Sequence, residues 1–163
     1  MSQDFISDLR KTVASALPAL TGLGDEASAR RAAPGRWSPR EIIGHLIDSA
    51  SNNHRRFVLA GFQDDLVFEG YSQDDWVAAQ RYQDARWSEL LLLWSSFNLH
   101  LARVMAAIPE NVRTRERRHH NLDQIAFRQV SRGQAVTLDY FMADYVEHLK
   151  HHLRQILGAD WQP

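Results

Sequence analysis

The chain has 163 residues, of which 44% are hydrophobic and 24% charged, and its formal net charge is -1. That length is about one domain and can bury a core without staples, while the near-neutral charge excludes a globally basic nucleic-acid binder and leaves only local patches. Cysteine is absent, so disulfides and thiolate chemistry are excluded and any metal must be held by His, Asp, Glu or solvent.

The N-terminal sequence MSQDFISDLRK has no basic region followed by an apolar run, and no stretch reads as the ~20 apolar residues of a membrane span. A single cytoplasmic domain over residues 1 to 163, without membrane association, is expected. Phe5, Leu9, Val13, Ala16, Leu17 and Leu20 recur at three- and four-residue spacing, which predicts an amphipathic helix over residues 3 to 20, ending near Pro18 to Gly24. Residues 25 to 28 are expected to add a short turn before Pro34 and Gly35 break the chain.

The next helix has the clearest start. Ser38 is a good N-cap, Pro39 fits the first helical position, and Glu41 stands where a capping box needs it. Ile42, Ile43, Leu46, Ile47, Phe57 and Val58 are expected to form its buried face, with Gly61 as the stop. Beside that face runs a polar stripe of His45, Asp48 or Ser49, Asn52 and Arg56. Residues 61 to 85 predict a long loop with one short helix near Asp74 to Gln80. From Trp87 to Ile108 an apolar period returns, predicting a third long helix, closed by Pro109 and expected to be the most deeply packed. Residues 110 to 136 read as an irregular crossover. Thr137 then caps a last helix that Gly158 ends. Four long helices with long connections and no alternating strand pattern predict an all-α four-helix bundle.

The chemistry concentrates in histidine, of which there are eight. His148 and His152 lie four residues apart, one above the other on one helix face, so two neutral ring nitrogens can converge on one cation. A single helical His is more often a surface or hydrogen-bonded residue. Taken alone, this pair reads equally well as part of a solvated last turn that complements the helix dipole. His45 shifts that balance, because it sits among Ile43, Leu46 and Ile47, where an imidazole needs a partner. Three neutral His around one ion leave a position open for water or for a substrate thiol, as in catalytic rather than structural sites. Asp48, Asp144, Glu147 and Asn52 are the spacing-based candidates to orient the ligands, with Asp144 favoured. Asp144 and Asp48 are the expected catalytic carboxylates, although exposed polar positions are the commoner outcome for such residues.

Other motifs fail. Glu147 precedes His148, so HExxH is not formed, and neither a phosphate-cradling Gly loop nor a GxSxG elbow occurs. Arg113, Arg115, Arg117 and Arg118 with His119 and His120 could meet an anion or nucleic acid, but a solvated loop is the preferred reading.

Three segments, WSPREIIGHLIDS, YSQDDW and VTLDYFMADYVEHLKHHLRQI, resemble the DinB-like superfamily of metal-binding bundles. They are most similar to its YfiT branch of metal-dependent hydrolases, to which the bacillithiol transferases are related. The resemblance runs roughly from Trp37 to Ile156, whereas residues 111 to 134 match no family motif. It implies a four-helix bundle of the DinB/YfiT type with nickel, zinc or a similar divalent ion on His45, His148 and His152. It also implies a homodimer acting on a small molecule, by hydrolysis or by transfer of a low-molecular-weight thiol. Tyr71, Asp74, Asp75 and Trp76 match a Tyr-to-Trp signature of that branch, which places Tyr71, Asp75 and Trp76, with Asn52, as expected walls of a pocket above the ion. A non-catalytic, stress-associated metal-binding or interaction protein on the same scaffold is the alternative.

Overall fold

The structure, a computed structural model, describes residues 4 to 163. The expected start of the first helix at residue 3 lies outside the described residues. The elements are α1 (Asp4–Ser28), α2 (Pro39–Ala60), α3 (Gln73–Gln80), a 3-10 turn (Tyr82–Asp84), α4 (Trp87–Ala107), α5 (Glu110–Arg113), α6 (Leu122–Ile125) and α7 (Leu138–Leu157). Among the described residues there are no strands, only two isolated bridges, Leu66 with His120 and Arg117 with Val136. The four long helices form the bundle, as the apolar periods predict.

Local signals set most of the boundaries. Both halves of the capping box at Ser38 and Glu41 are formed, and Arg31 grips the Glu41 carboxylate at 2.6 and 3.0 Å. Thr137 accepts from Tyr140 N and Gly158 closes α7. The first helix passes through Pro18 and breaks at Gly24, whose φ of 74° is the left-handed region that glycine enters at little cost. The turn expected at residues 25 to 28 follows that break.

Neighbour relations in the bundle are not sequential. α4 packs against α1 and α2, and α7 packs against the same two, so the order around the bundle is α1, α4, α2, α7. Consecutive helices α1 and α2 are therefore diagonal, and α7, although it comes last, lies directly beside α2. Leu9, Leu20, Ile43, Leu46, Trp94, Leu101, Leu149 and Leu153 from all four helices are sealed in the centre, each worth ~1.5–3 kcal/mol of apolar transfer. The Trp87 indole N–H donates to Leu20 O at 2.8 Å, and Tyr145 O–H donates to Asn98 across the core at 2.5 Å.

Three expectations are corrected. α4 is not the most deeply packed helix, because nine of its 21 residues are buried against fourteen of 22 in α2. α2 is covered by α3 and the 3-10 turn as well as by α4 and α7, whereas α4 turns Leu92, Leu93 and Leu99 to solvent. α4 also proves long and apolar enough to cross a membrane by length and composition, yet its buried side faces the bundle core. Val58, expected on the buried face of α2, is 37% exposed.

The arginine-rich crossover is not a solvated loop. Arg113, Arg117 and His120 are buried. Arg113 pairs with Asp139 at the start of α7, Arg117 donates to Ala60 O, and His120 Nε2 stands 2.9 Å from Gln134 O. One isolated bridge ties His120 to Leu66 in the connection after α2 and the other, Arg117 with Val136, closes the crossover on itself, with Arg113, Arg117 and His120 drawn inward. Arg115 and Arg118 remain exposed.

Close packing fixes one position beside the histidines. A Cβ at Gly44 would lie 2.1 to 2.7 Å from the Tyr82 ring. Gly→Ala in a helix normally stabilises by about 1 kcal/mol, but Gly44→Ala is expected to destabilise by about 1–3 kcal/mol through overpacking. Urea denaturation measures the sign, and a more stable variant would show that Tyr82 can move aside.

Candidate metal centre

The capping box fixes where α2 begins, and His45 follows on the second turn with no exposed surface, its ring 5.1 Å from that of Trp37. α7, adjacent to α2, brings His148 and His152 with ring centroids 4.6 Å apart, at 5.2 and 4.7 Å from the His45 ring. His45 Nε2 and His148 Nε2 stand 3.2 Å apart, and the ligand atoms of the three residues all lie within 4.8 Å of one another. Two imidazoles at ~2.0–2.1 Å from one ion are separated by roughly 3–3.4 Å, so the closest pair has the spacing of two ligands of one cation. Without a cation, two facing Nε2 atoms can share only one proton.

Electrostatics keep the rings uncharged. Burial pushes His45 down to about 3, with His152 adding repulsion, and it holds His148 well below the ordinary histidine value. His152 is lowered chiefly by burial as well, against the hydrogen bond its ring N–H donates to Gln155, which opposes the shift. Neutral imidazoles are the form a metal requires.

The groups next to the rings differ from those expected by spacing. Gln155 Oε1 is 3.0 Å from His152 Nδ1, which directs His152 Nε2 to the centre, and Ser49 Oγ approaches His148 Nδ1 at 3.5 Å. His45 Nδ1 is buried with no hydrogen-bond partner. Asp144, the favoured orienting residue, is engaged elsewhere: its oxygens accept from Phe127 N and Arg128 N, both at 2.8 Å, and from Arg128 Nε at 3.2 Å. Asp48 is buried and accepts from Tyr82 O–H at 2.6 Å and Gln80 at 2.7 Å, while its second oxygen has no partner. Burial raises the Asp48 carboxyl above its usual range, partly offset by those two donors. Glu147 pairs with Lys150, and Asn52 donates to Asp48 O. The Ser49 contact was on the sequence stripe, but Gln155, Tyr82 and Phe127 carried no chemical signal of their own.

A cavity of about 410 Å³ opens in front of His148 and His152. Tyr71, Asn53, Arg56, Phe127 and Asp144 are among its walls. The Phe127 ring lies 5.5 Å from His148 and 5.1 Å from His151; His151 itself is exposed. Of the expected wall residues, Tyr71 lines this cavity and also a smaller adjoining one of about 190 Å³, which Asn52 and Trp76 line. Asp75 is exposed and lines neither. Arg56 faces both cavities, and burial pulls its guanidinium below the ordinary value, with Tyr71 working in the opposite sense.

Fold and site together define a class: a helical bundle with a candidate metal centre of three histidines. The DinB superfamily model matches residues 8–156, and the chain belongs to that superfamily. Among solved structures, YfiT from Bacillus subtilis, described as "a probable metal-dependent hydrolase with an unusual four-helix bundle topology", superposes with a TM-score of 0.77 at 21% identity. The match covers 95% of this chain and 83% of that one. The shared fold is that four-helix bundle. No curated protein matches the chain in sequence.

Two measurements probe the centre. A histidine whose folded value is lowered contributes stability that is lost as pH falls below the unfolded value near 6.5. Chelator-treated protein should therefore be about 2 kcal/mol less stable at pH 5 than at pH 7 from His45 alone. A flat denaturation profile over that range would show the imidazole to be hydrated. In the second, Asp144→Asn places an amide N–H against one of the two backbone donors. It is expected to cost about 2 kcal/mol and to speed hydrogen exchange at residues 127 and 128, with metal content unchanged.

Proposed function

We propose that this chain is a metal-dependent hydrolase of a small molecule, holding one divalent ion on the Nε2 atoms of His45, His148 and His152. The observation that carries this reading is the convergence of three neutral imidazoles at the wall of a cavity large enough for a small ligand. With three nitrogen ligands and no carboxylate in the set, coordination positions stay open toward that cavity. Zinc and nickel both suit such a set. A divalent ion there supplies Lewis acidity toward a water or a substrate oxygen. The chain does the rest. Gln155 and Ser49 hold His152 and His148 with Nε2 inward, the fully buried His45 closes the inner side, and Phe127 with Tyr71 walls off solvent. Asp144 acts as the anchor of the Phe127 wall, because backbone amides occupy both its oxygens. The description of YfiT as a probable metal-dependent hydrolase supports the reaction class.

The test is metal analysis of protein purified without a metal column, followed by a panel of simple amides and esters. Expected are one divalent ion per chain, its loss in His148→Ala, and hydrolysis that falls about 100-fold or more in that variant and under chelation. Absence of stoichiometric metal in the parent would overturn the site. Metal without turnover on any member of the panel would leave a non-catalytic metal-binding protein in its place.

A further inference from the structure

Arg56 is the largest unexplained charge near the centre. It lies on α2, eleven residues beyond His45, and only 6% of it is exposed. Its guanidinium donates to Glu69 O at 2.7 Å and, weakly, to Asn53 Oδ1 at 3.4 Å. Both partners are uncharged. No carboxylate pairs with it among the described residues. The Glu69 side chain is exposed and instead stands 3.9 Å from Arg55, and the acid that lines the cavity, Asp144, is held by Arg128. A cation taken out of water is retained only where an anion or a full set of acceptors meets it, and here that requirement is left to whatever occupies the cavity.

We propose that Arg56, with Tyr71 and Asn53 beside it, is the carboxylate-binding subsite of this cavity, so that the ligand is a small monocarboxylate. A planar guanidinium fork matches a carboxylate in two parallel hydrogen bonds. Among the described residues Arg56 is the only Arg or Lys lining the cavity, which fits one negative charge and not the two of a phosphate. Tyr71 reinforces the subsite: it lines both cavities together with Arg56, and burial keeps its phenol protonated, a neutral donor beside the cation. Asn53, which meets the Arg56 guanidinium, also donates to Ser49 Oγ, and Ser49 Oγ approaches His148 Nδ1 at 3.5 Å. A ligand anchored at Arg56 therefore reaches the histidines across the width of two side chains, which is the size of an N-acylated amino acid and not of acetate. That the far end meets a metal rests on the function proposed above; the subsite does not.

N-benzoylglycine and N-benzoylglycinamide differ only in that charge and serve as probes, titrated by calorimetry into metal-loaded and chelator-treated protein. The acid is expected to bind at least about tenfold more tightly than the amide in both forms. Arg56→Gln should abolish the difference and Arg56→Lys should keep part of it, with metal content unchanged in each. Equal binding of acid and amide by the parent, or no saturable binding of either, overturns the proposal whether or not the variants fold. So does a preference that appears only in the metal-loaded form, which would place the carboxylate on the ion. Tighter binding of inorganic phosphate than of the acid overturns the assignment to a carboxylate. If the parent holds no metal yet the chelator-treated protein prefers the acid, the subsite stands and the hydrolase reading falls.

Discussion

The structure depends on keeping one imidazole dry. His45 is completely buried between the faces of α2 and α7, and dehydration of its ring holds it neutral far below ordinary histidine titration. A charged ring there would face His148 Nε2 at 3.2 Å with no acid to compensate. The surroundings meet this constraint by packing: the Trp37 ring lies against His45, Gly44 lets Tyr82 approach the helix backbone, and the capping box fixes the register of the turn that presents the ring.

Bundle topology then determines which residues can meet His45. Because α1 and α2 are diagonal, the chain crosses the bundle early, and α2 takes α4 on one side and the last helix, α7, on the other. The connection from α2 to α4 joins neighbours, whereas the one from α4 to α7 has to cross the bundle, and both become walls. The first delivers Tyr71, Trp76 and Tyr82 to the α2 side. The second is held by Arg113 and Asp139, by two isolated bridges, and by Asp144 gripping the amides of Phe127 and Arg128. A carboxylate that spacing assigns to a histidine is used instead to stop a loop from drifting across the cavity.

The electrostatic character of the cavity follows from that use of its acids. Three imidazoles are neutral, the one lining carboxylate is neutralised by Arg128 and by backbone donors, and Arg56 is left without a counter-charge. An excess of positive potential in a partly enclosed site favours an anionic occupant. The conserved quantity in such a site is charge balance, and here the protein supplies less negative charge than its cations require.

Much of this was legible in the sequence. The 3.6-residue periods of residues 5 to 20, 42 to 57 and 87 to 108 determined three helices, Ser38 and Glu41 determined where α2 starts, and Thr137 and Gly158 determined where α7 starts and stops, because caps and amphipathic faces are local. His148 and His152 shared a face by spacing alone, and the apolar neighbours of His45 marked it as a residue needing a partner. Tertiary structure decided the rest, for a reason that is equally physical. Hydrogen-bond partners of a polar side chain are settled by which segments pack together, so spacing could offer Asp144 to His148 but could not see the amides of residues 127 and 128 arriving first. Likewise the burial of Arg113 and Arg117 and the unpaired charge of Arg56 come from surfaces contributed by distant parts of the chain, and no local pattern records them.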